Sequence, residues 1–267
     1  MPWHTHGIAG LLNARNTTTG TPYKGSNTIA LFLDAVERGF PTSDYATFNQ
    51  YRKAGAQVRK GERAAFIIKW ATPKNRDDDS NNRETLERRL VPKVYAVFNV
   101  HQVDGLESQP EPITATPDDE WLEAIGADVV YGGDLAYYAP TPDRIYLPHP
   151  DQFNDTESFL GTSLHEHIHW SGNRSRLNRL NLSPAFGSPE YATEELVAEL
   201  GAAIAAARLG ISTQPREDHA AYLAHWVDLL GEDPKTLFRT AAAAQRAVDY
   251  LDAAAQPAAT DNDEAAA

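Results

Sequence analysis

The segment Leu164–Trp170 reads LHEHIHW, which places His165 and His169 four residues apart, with Glu166 directly after the first histidine. On an α-helix, residues four apart lie on the same face, so the two imidazoles can converge on one ion. Glu166 then projects beside that ion, where its carboxylate can take a proton from metal-bound water. The spacing therefore predicts a metal site in which Glu166 is the general base, and the alternative is a solvated, histidine-rich helix face.

A further protein ligand must come from outside this segment. The chain contains no cysteine, so only histidine and carboxylate side chains are available. His167 is two residues from each candidate histidine, about 200° around the helix, and we expect it to serve packing or to face solvent. A site with three protein ligands keeps a fourth position open for water, and the next acidic segment is TEELVAEL, Thr193–Leu200.

The three glutamates of that segment are not equivalent. Glu195 and Glu199 share a helix face one turn apart, which suits a metal ligand and a second carboxylate that orients a ligating histidine. We predict Glu195 as the third ligand and Glu199 as the orienting carboxylate. The alternatives are that Glu199, water or another side chain completes the coordination. Glu194 is expected to point away as a solvated charge.

Two imidazoles and one carboxylate suit Zn²⁺ best, with other divalent metals as alternatives, and we expect one ion per chain. Zinc held in this way lowers the pKa of its bound water towards ~7 and polarises a carbonyl group, which is the chemistry of amide hydrolysis. The developing oxyanion needs a hydrogen-bond donor. The sequence does not rank the candidates, which are Tyr191, His219 and the pair Tyr137 and Tyr138.

Helices must position these groups. Phe159, Leu160, Leu164 and Ile168 form an apolar stripe with helical spacing, and Gly172 follows as a stop signal. This pattern predicts a helix over 156–171, and later segments predict helices over 188–209, 216–230 and 233–254. Short strands are predicted before them, at 129–130, 136–139 and 144–147.

The first hundred residues predict a smaller α+β domain. Helices are expected over 28–38 and 45–53, followed by a strand within 57–70 and its partner at 93–99. The segment Ser108–Asp119 is rich in Pro, Thr and acidic residues and marks a boundary between two domains, which we call the seam. The predicted fold class is α+β, with a first domain at 1–108, a second at 109–256 and a disordered tail at 257–267.

The net charge of −13 is unevenly distributed along the chain. Residues 1–100 hold 15 basic and 9 acidic side chains, a net charge of +6, whereas residues 101–267 hold 9 basic and 28 acidic ones, a net charge of −19. Like charge repels nucleic acid from the acidic part, so a polyanion site is expected only in the first part, with random drift of surface charge as the alternative. No apolar run approaches the ~20 residues of a membrane helix, and we expect a soluble, cytoplasmic protein.

Basic and aromatic residues alternate within 45–70, a combination that suits single-stranded nucleic acid because base faces are free to stack. The alternative is that Phe48, Phe66 and Trp70 are core residues and the charges only solvate a surface. A glycine-containing turn at 20–25 is a further candidate contact. The predicted DNA-binding residues are Tyr23, Lys24, Asn27, Tyr51, Arg52, Lys53, Arg59, Lys60, Arg63, Lys69 and Trp70.

These segments together resemble the ArdC-type antirestriction proteins of plasmids and phages. The resemblance is carried by PWH at 2–4, NARNTTTGTPYKGSN at 13–27, TFNQYRKAGAQVRKGERAAFIIKW at 47–70, AYYAPTPDRIYLPHPDQF at 136–153, HEHIHW at 165–170, SRLNR at 175–179 and FGSPEYATEELVAELGAA at 186–203.

The resemblance implies a single-stranded-DNA-binding domain followed by a zincin-like domain of the gluzincin type. It places the two histidines and the downstream glutamate of the family's metal site at His165, His169 and Glu195. It also implies a role in shielding DNA from restriction enzymes, with single-stranded DNA and an unidentified protein substrate as partners. Two other functions stay open: a DNA-binding protein whose metal is purely structural, and a metallopeptidase that cleaves a repressor.

Overall fold

The computed structural model describes residues 12–71, 91–106, 119–180, 188–211 and 235–256, and all structural statements concern these residues. The chain divides into two compact units: 14–23 with 27–110, and 1–13 with 24–26 and 111–267. The mixture of helices and strands confirms the α+β fold class. The predicted features outside the described residues are most of the seam, the helix at 216–230 with His219, and the tail after residue 256.

The first unit is built on a four-stranded sheet with the order β1-β2-β5-β4, in which β4 and β5 are antiparallel. A second, two-stranded sheet pairs β3 with β6. The elements are β1 (Arg15–Asn16), α1 (Ser26–Arg38), β2 (Asp44–Ala46), α2 (Phe48–Lys53), β3 (Gln57–Val58), β4 (Ala65–Ala71), β5 (Val91–Asn99), a 3₁₀ turn (Val100–Gln102) and β6 (Val103–Asp104).

Strand β2 separates two small apolar cores, because successive side chains of a strand point to opposite faces. Tyr45 is fully buried with Leu31 of α1, and its hydroxyl donates to Asp34 at 2.7 Å. The next residue, Ala46, packs on the other side against Tyr51. This strand corrects the predicted helix at 45–53, which in fact begins only after Thr47.

The helix start at Thr47 has a local cause. The Thr47 hydroxyl accepts from the backbone N–H of Gln50 at 3.3 Å, and the Gln50 side chain accepts from the N–H of Thr47 at 2.9 Å. This reciprocal capping box fixes α2 to begin at Phe48 and leaves the preceding residues free to pair as a strand. The single strand predicted within 57–70 is likewise two strands, since a turn with Gly61 at a φ of 90° divides it.

The second unit combines a three-stranded sheet with long helices. Its central strand β9 is parallel to β7 and antiparallel to β8, and the alternate residues Ile145 and Leu147 of β9 are fully buried. The elements are α3 (Asp119–Ala124), β7 (Asp128–Tyr131), β8 (Tyr137–Ala139), β9 (Arg144–Leu147), a 3₁₀ turn (Pro150–Gln152), α4 (Thr156–Ser171), α5 (Pro189–Leu209) and α6 (Lys235–Ala254).

The three long helices pack on one another through small side chains. The alanines of α5 between 202 and 207 are buried, as are Ala241, Ala244 and Ala247 of α6. Short side chains let helix axes approach closely, so these alanine runs are packing surfaces. None of the helices in the described ranges is long and apolar enough to cross a membrane.

Candidate functional site

Helix α4 carries an unusual number of buried polar side chains. Asp155 caps its first turn by accepting from the N–H of Ser158 at 2.7 Å, and the helix has the predicted bounds, Thr156–Ser171. His165 and Glu166 are only 4% and 3% exposed. Buried polar groups need partners, and those of His165 are carboxylates on α5.

The predicted ligands His165, His169 and Glu195 are brought together by α4 and α5. Their ligand atoms all lie within 4.8 Å of one another, the one such cluster found in the described part of the chain. The two histidine Nε2 atoms are 3.1 Å apart, and the Glu195 carboxylate is 3.4 Å from His165 Nε2 and 3.6 Å from His169 Nε2. Three nitrogen and oxygen donors that converge in this way fit a divalent metal ion. We call these three residues the ligand cluster.

The far side of each histidine ring meets a carboxylate. Glu199 Oε1 lies 2.7 Å from His165 Nδ1, where the sequence predicted an orienting carboxylate, and Glu199 is only 4% exposed. Glu194 Oε1 lies 3.1 Å from His169 Nδ1. A carboxylate bonded to the outer nitrogen of a histidine fixes the ring and leaves the inner nitrogen as the ligand.

The position of Glu194 corrects the sequence prediction of a solvated charge. Its side chain is 15% exposed and is bonded on one side to His169 and on the other to Arg179. The error arose because periodicity places residues around one helix axis but does not say which face meets the neighbouring helix. Arg179 was missed altogether, since it lies in the turn after α4 and outside any motif of catalytic spacing.

The charge balance of the ligand cluster favours a cation. Burial by itself would lower the pKa of His165, but hydrogen bonds to Glu195 and Glu199 outweigh it and raise the pKa to about 10. Burial would raise the pKa of Glu195, but its hydrogen bond to His165 and the nearby His169 lower the pKa to about 2. The carboxylates thus stabilise positive charge at this point, which favours the binding of a cation.

His167 is a packing residue, one of the two roles expected for it. It is 1% exposed, and its Nδ1–H donates to the carbonyl oxygen of Ser163 at 2.7 Å. Burial lowers the pKa of His167 to about 4, so the ring is neutral near pH 7. Its pKa is therefore shifted in the opposite direction from that of His165, although both histidines are buried on the same helix.

A glycine sets the distance between the two helices of the site. A Cβ atom at Gly201 of α5 would lie 2.8 Å from Ile168 Cδ1 and 3.0 Å from Ile168 Cγ1. Ile168 of α4 is fully buried and lies between His165 and His169 in the sequence. The absence of a side chain at position 201 therefore allows α5 to carry Glu195 close to the histidines.

The oxyanion candidates have different surroundings. Tyr191 is hydrogen-bonded to Glu195 and so stands beside the ligand cluster. Tyr138 is bonded to Asp143 and Asn173, and burial with the Asp143 contact raises the pKa of its phenol to about 12. Tyr137 stacks on Tyr146 at 4.8 Å between ring centroids. Of these tyrosines, Tyr191 alone has a contact with a ligand of the cluster among the described interactions.

Six of the seven basic residues predicted to contact DNA are on the surface of the first unit, and Lys24 belongs to the second. Arg59 is engaged in the protein, with ion pairs to Glu62 at 3.0 Å and Asp104 at 3.5 Å. Lys69 and Lys60 have no ion-pair partner within the described residues. All six of these side chains are exposed: Arg52, Lys53, Arg59, Lys60, Arg63 and Lys69.

The strands β4 and β5 present an exposed apolar face, which we call the aromatic ribbon and define by Phe66, Trp70 and Val94. Their exposed fractions are 64%, 61% and 64%. Phe66 and Trp70 are four positions apart in β4, so their side chains point to the same face of the sheet. Val94 is on that face too, because it pairs with Ile68, which lies midway between them. These aromatic residues are therefore not core residues, which removes the alternative explanation for Phe66 and Trp70.

Two predicted stacking residues are instead part of the protein interior. Tyr51 is fully buried, and its hydroxyl donates to the carbonyl of Phe98 at 3.1 Å, so no base can reach its ring. Tyr23 is half-buried against the core, and its hydroxyl donates to the carbonyl of Tyr45 at 3.0 Å. Both tyrosines support the fold of the first unit.

Asn27 and Lys24 also make contacts within the protein. The Asn27 side chain pairs with both backbone groups of Ile68, at 2.8 Å each, and so completes the hydrogen bonding of the edge strand β4. The Lys24 ammonium is 2.8 Å from Asp249, with more than half of its side chain still exposed. Both residues therefore have partners within the protein.

Comparison with known proteins matches both parts of the chain. Residues 1–98 match the family model for the N-terminal domain of the anti-restriction factor ArdC, and residues 117–244 match that for a zincin-like metallopeptidase. The Sinorhizobium fredii protein y4eC is 35% identical over 264 residues, which cover 95% of this chain and 85% of that protein. An Escherichia coli DNA primase TraC is 36% identical over 269 residues, but only 25% of its length is covered.

Two solved structures are similar over nearly the whole chain. They are crystal structures of the antirestriction protein ArdC from plasmid R388, one bound to Mn(II) and one free of metal. Their TM-scores are 0.78 and 0.77 at 32% and 33% identity, and the matches cover 94% of this chain and 92% of each of those chains.

Proposed function

We propose, from the premise that this chain belongs to the ArdC antirestriction family, that it binds single-stranded DNA through its first domain and carries a zinc-dependent metallopeptidase site in its second. The observation that carries the proposal is the convergence of His165, His169 and Glu195 within 4.8 Å on two adjoining helices. Residues 1–108 and 109–256 are the proposed domains.

The donor set supports a divalent ion, and the mixture of two imidazoles and one carboxylate favours Zn²⁺ among such ions. His165, His169 and Glu195 would hold it, with Glu199 and Glu194 fixing the two imidazoles from behind. When bound, zinc supplies a Lewis acid that polarises a substrate carbonyl and makes water more acidic.

Glu166 is the general base of the proposed chemistry. It directly follows His165 in the sequence and is 3% exposed, which supports this role. We assign it the proton of the attacking water, which it would pass on to the leaving amine. Tyr191, bonded to Glu195, is the oxyanion donor that the contacts favour among the tyrosine candidates.

The DNA part of the proposal is supported by charge and exposed aromatic side chains together. The first hundred residues have a net charge of +6, and the aromatic ribbon offers ring faces to solvent beside exposed cations such as Lys69. Aromatic rings stack on bases while Lys and Arg contact phosphates, without a preference for one base sequence. Duplex DNA hides its base faces, so single strands are the expected ligand.

One experiment tests whether the two activities act together. Unmodified protein and Glu166→Gln are compared in metal content, peptide hydrolysis, single-strand binding and protection of incoming DNA from a restriction enzyme. We expect the variant to keep metal and DNA binding and to lose hydrolysis. Full protection by the variant would show that DNA binding alone accounts for antirestriction and that the metal is structural.

A further inference from the structure

The turn that follows α4 folds back over the end of that helix. The N–H of Asn178 donates to the carbonyl of Asn173 at 2.9 Å, and Asn178 adopts a left-handed φ of 48°. The N–H groups of Arg179 and Leu180 then both donate to the carbonyl of Gly172, at 2.9 Å each. These backbone bonds return Arg179 to the last turn of the helix that carries the histidines.

Arg179 contacts both carboxylate oxygens of Glu194 through one edge of its guanidinium group. Its Nε donates to Glu194 Oε2 at 2.8 Å and its Nη2 donates to Glu194 Oε1 at 2.8 Å. Nη2 also donates to the carbonyl of Ile168 at 2.7 Å, at the open end of α4. A planar guanidinium matches both carboxylate oxygens at once, and this bidentate pairing fixes orientation as well as position.

The carboxylate held by Arg179 is the one that touches His169. Glu194 Oε1 lies 3.1 Å from His169 Nδ1, while His169 Nε2 faces the ligand cluster. A partner on the outer nitrogen sets the tautomer and ring angle of a ligating histidine. Arg179, Glu194 and His169 therefore form a continuous chain of contacts that ends at the ligand cluster.

The packing around Gly172 provides an independent observation. A Cβ atom at this position would lie 2.8 Å from Arg179 Nη2 and 3.0 Å from Arg179 Cζ. The backbone does not require glycine here, because its φ is −80°, a value that any residue adopts. The missing side chain therefore leaves the space that the guanidinium group occupies against the end of the helix.

We propose that Arg179 is a positioning residue of the metal centre. Acting through Glu194, it holds the His169 ring at the angle that presents Nε2 to the ion, and it thereby raises metal affinity. The inference rests on the proposed metal site and adds to it a residue from outside the two ligand-bearing helices. Partners of this kind change metal affinity by about 10- to 100-fold when they are removed.

The test measures metal affinity in the full chain by competition with a chelator, using Zn²⁺ and Mn²⁺ as separate probes. Arg179→Gln should bind each ion about 10- to 100-fold more weakly than the unmodified protein. Arg176→Gln is the matched control, because Arg176 belongs to the same turn but is bonded to Asp143 and stacks on Trp170 at 3.8 Å. It should keep the metal affinity of the unmodified protein.

A purely structural role is separated by two further measurements. The melting temperature of each variant without metal reports folding, and a structural arginine would lower it while leaving the affinity for the ion unchanged. Glu194→Gln and the double variant complete a cycle: if Arg179 acts through Glu194, the double variant binds metal no more weakly than Glu194→Gln alone. Losses that multiply would overturn the proposed route through Glu194.

The outcomes also distinguish this inference from the proposed function. Absence of metal binding in the unmodified protein would refute the metal site itself. Metal binding that is equally tight in Arg179→Gln would refute the positioning role alone. If Arg179→Gln does not fold, Arg179→Lys is measured instead, because lysine retains the charge but cannot make the bidentate contact with Glu194. The affinity of this variant for the metal ion must then fall for the proposal to stand.

Discussion

The proposed metal centre and the aromatic ribbon depart from the usual distribution of side chains in opposite directions. At the metal centre, charged and polar groups such as Glu166 and His165 are almost completely buried, whereas on the ribbon Phe66 and Trp70 are about two-thirds exposed. Burial of a charge is costly unless it is paired, and exposure of a large aromatic side chain forgoes the gain from leaving water. In the proposed function, the partner of the first surface is a metal ion and the partner of the second is a polyanion with flat bases.

The two regions are also held in place by different kinds of contact. The metal centre depends on pairing across two helices, where every ligating histidine has a carboxylate behind it. The ribbon depends on backbone hydrogen bonds, since β4 is paired with β5 along its length and Asn27 satisfies Ile68 on the outer side. A side-chain substitution should therefore disturb the metal centre as a unit but change the ribbon one contact at a time.

The largest expected effect is the loss of the metal. His165→Ala combined with His169→Ala removes two of three ligands, and purified protein should then contain no stoichiometric metal by elemental analysis. The melting temperature should also fall, because an ion that binds only the folded state stabilises it. His167→Gln is the matched control on the same helix and should retain the ion, and metal retained by the double variant would refute both ligand assignments.

The next effect concerns the general base. Glu166→Gln keeps the size and polarity of the side chain but cannot accept a proton, so peptide hydrolysis should fall by ~10²- to 10⁴-fold. Metal content and single-strand affinity should stay unchanged, which would show that the two regions can be separated. Equal hydrolysis by the variant and the unmodified protein would remove Glu166 from the proposed chemistry.

A smaller effect is expected at the aromatic ribbon. Stacking on one aromatic side chain contributes about 1 to 3 kcal/mol per base, so Trp70→Ala should weaken single-strand binding by about 5- to 150-fold. Phe66→Ala should have a comparable effect. Phe238 of α6 is a matched control, since it is 49% exposed in the acidic part of the chain, and Phe238→Ala should leave the affinity unchanged in a fluorescence titration.

The smallest expected effect is a change in salt dependence. Each phosphate contact contributes about −0.7 to the slope of log affinity against log salt for single strands, so Lys69→Ala should flatten the slope by about that amount. Arg59→Ala should change it less, because Arg59 is already paired with Glu62 and Asp104. Identical slopes for all three proteins would argue that the basic surface does not contact phosphates.

The sequence was most informative where one helix determines the outcome. The spacing of His165 and His169 and the apolar stripe beside them predicted α4 with its observed bounds, since both depend only on residues close in the chain. The same reasoning placed Glu195 and Glu199 on one face of α5, and the structure brings both to the histidines.

Contacts between elements were less accessible from sequence. Glu194 is rotated by about 100° around the helix axis from the adjacent Glu195. Only the packing of α5 on α4 decides that Glu194 contacts His169. Tyr51 lies in a segment where basic and aromatic residues alternate, a pattern typical of nucleic-acid binding. Its side chain nevertheless packs in a buried cluster with Ala46. In both cases the deciding contact joins residues that no local periodicity relates.

Gly201 is not a ligand, but its replacement would affect the proposed metal centre through the packing of α5 on α4. Its exchange for alanine is usually regarded as mild on a helix, where alanine is the more favourable residue by about 1 kcal/mol. Here the added methyl group would lie 2.8 Å from Ile168 Cδ1, so the buried Ile168 side chain or the two ligand-bearing helices must shift. In a saturation library, replacement at position 201 should therefore lower metal affinity, although the residue offers no atom to the ion.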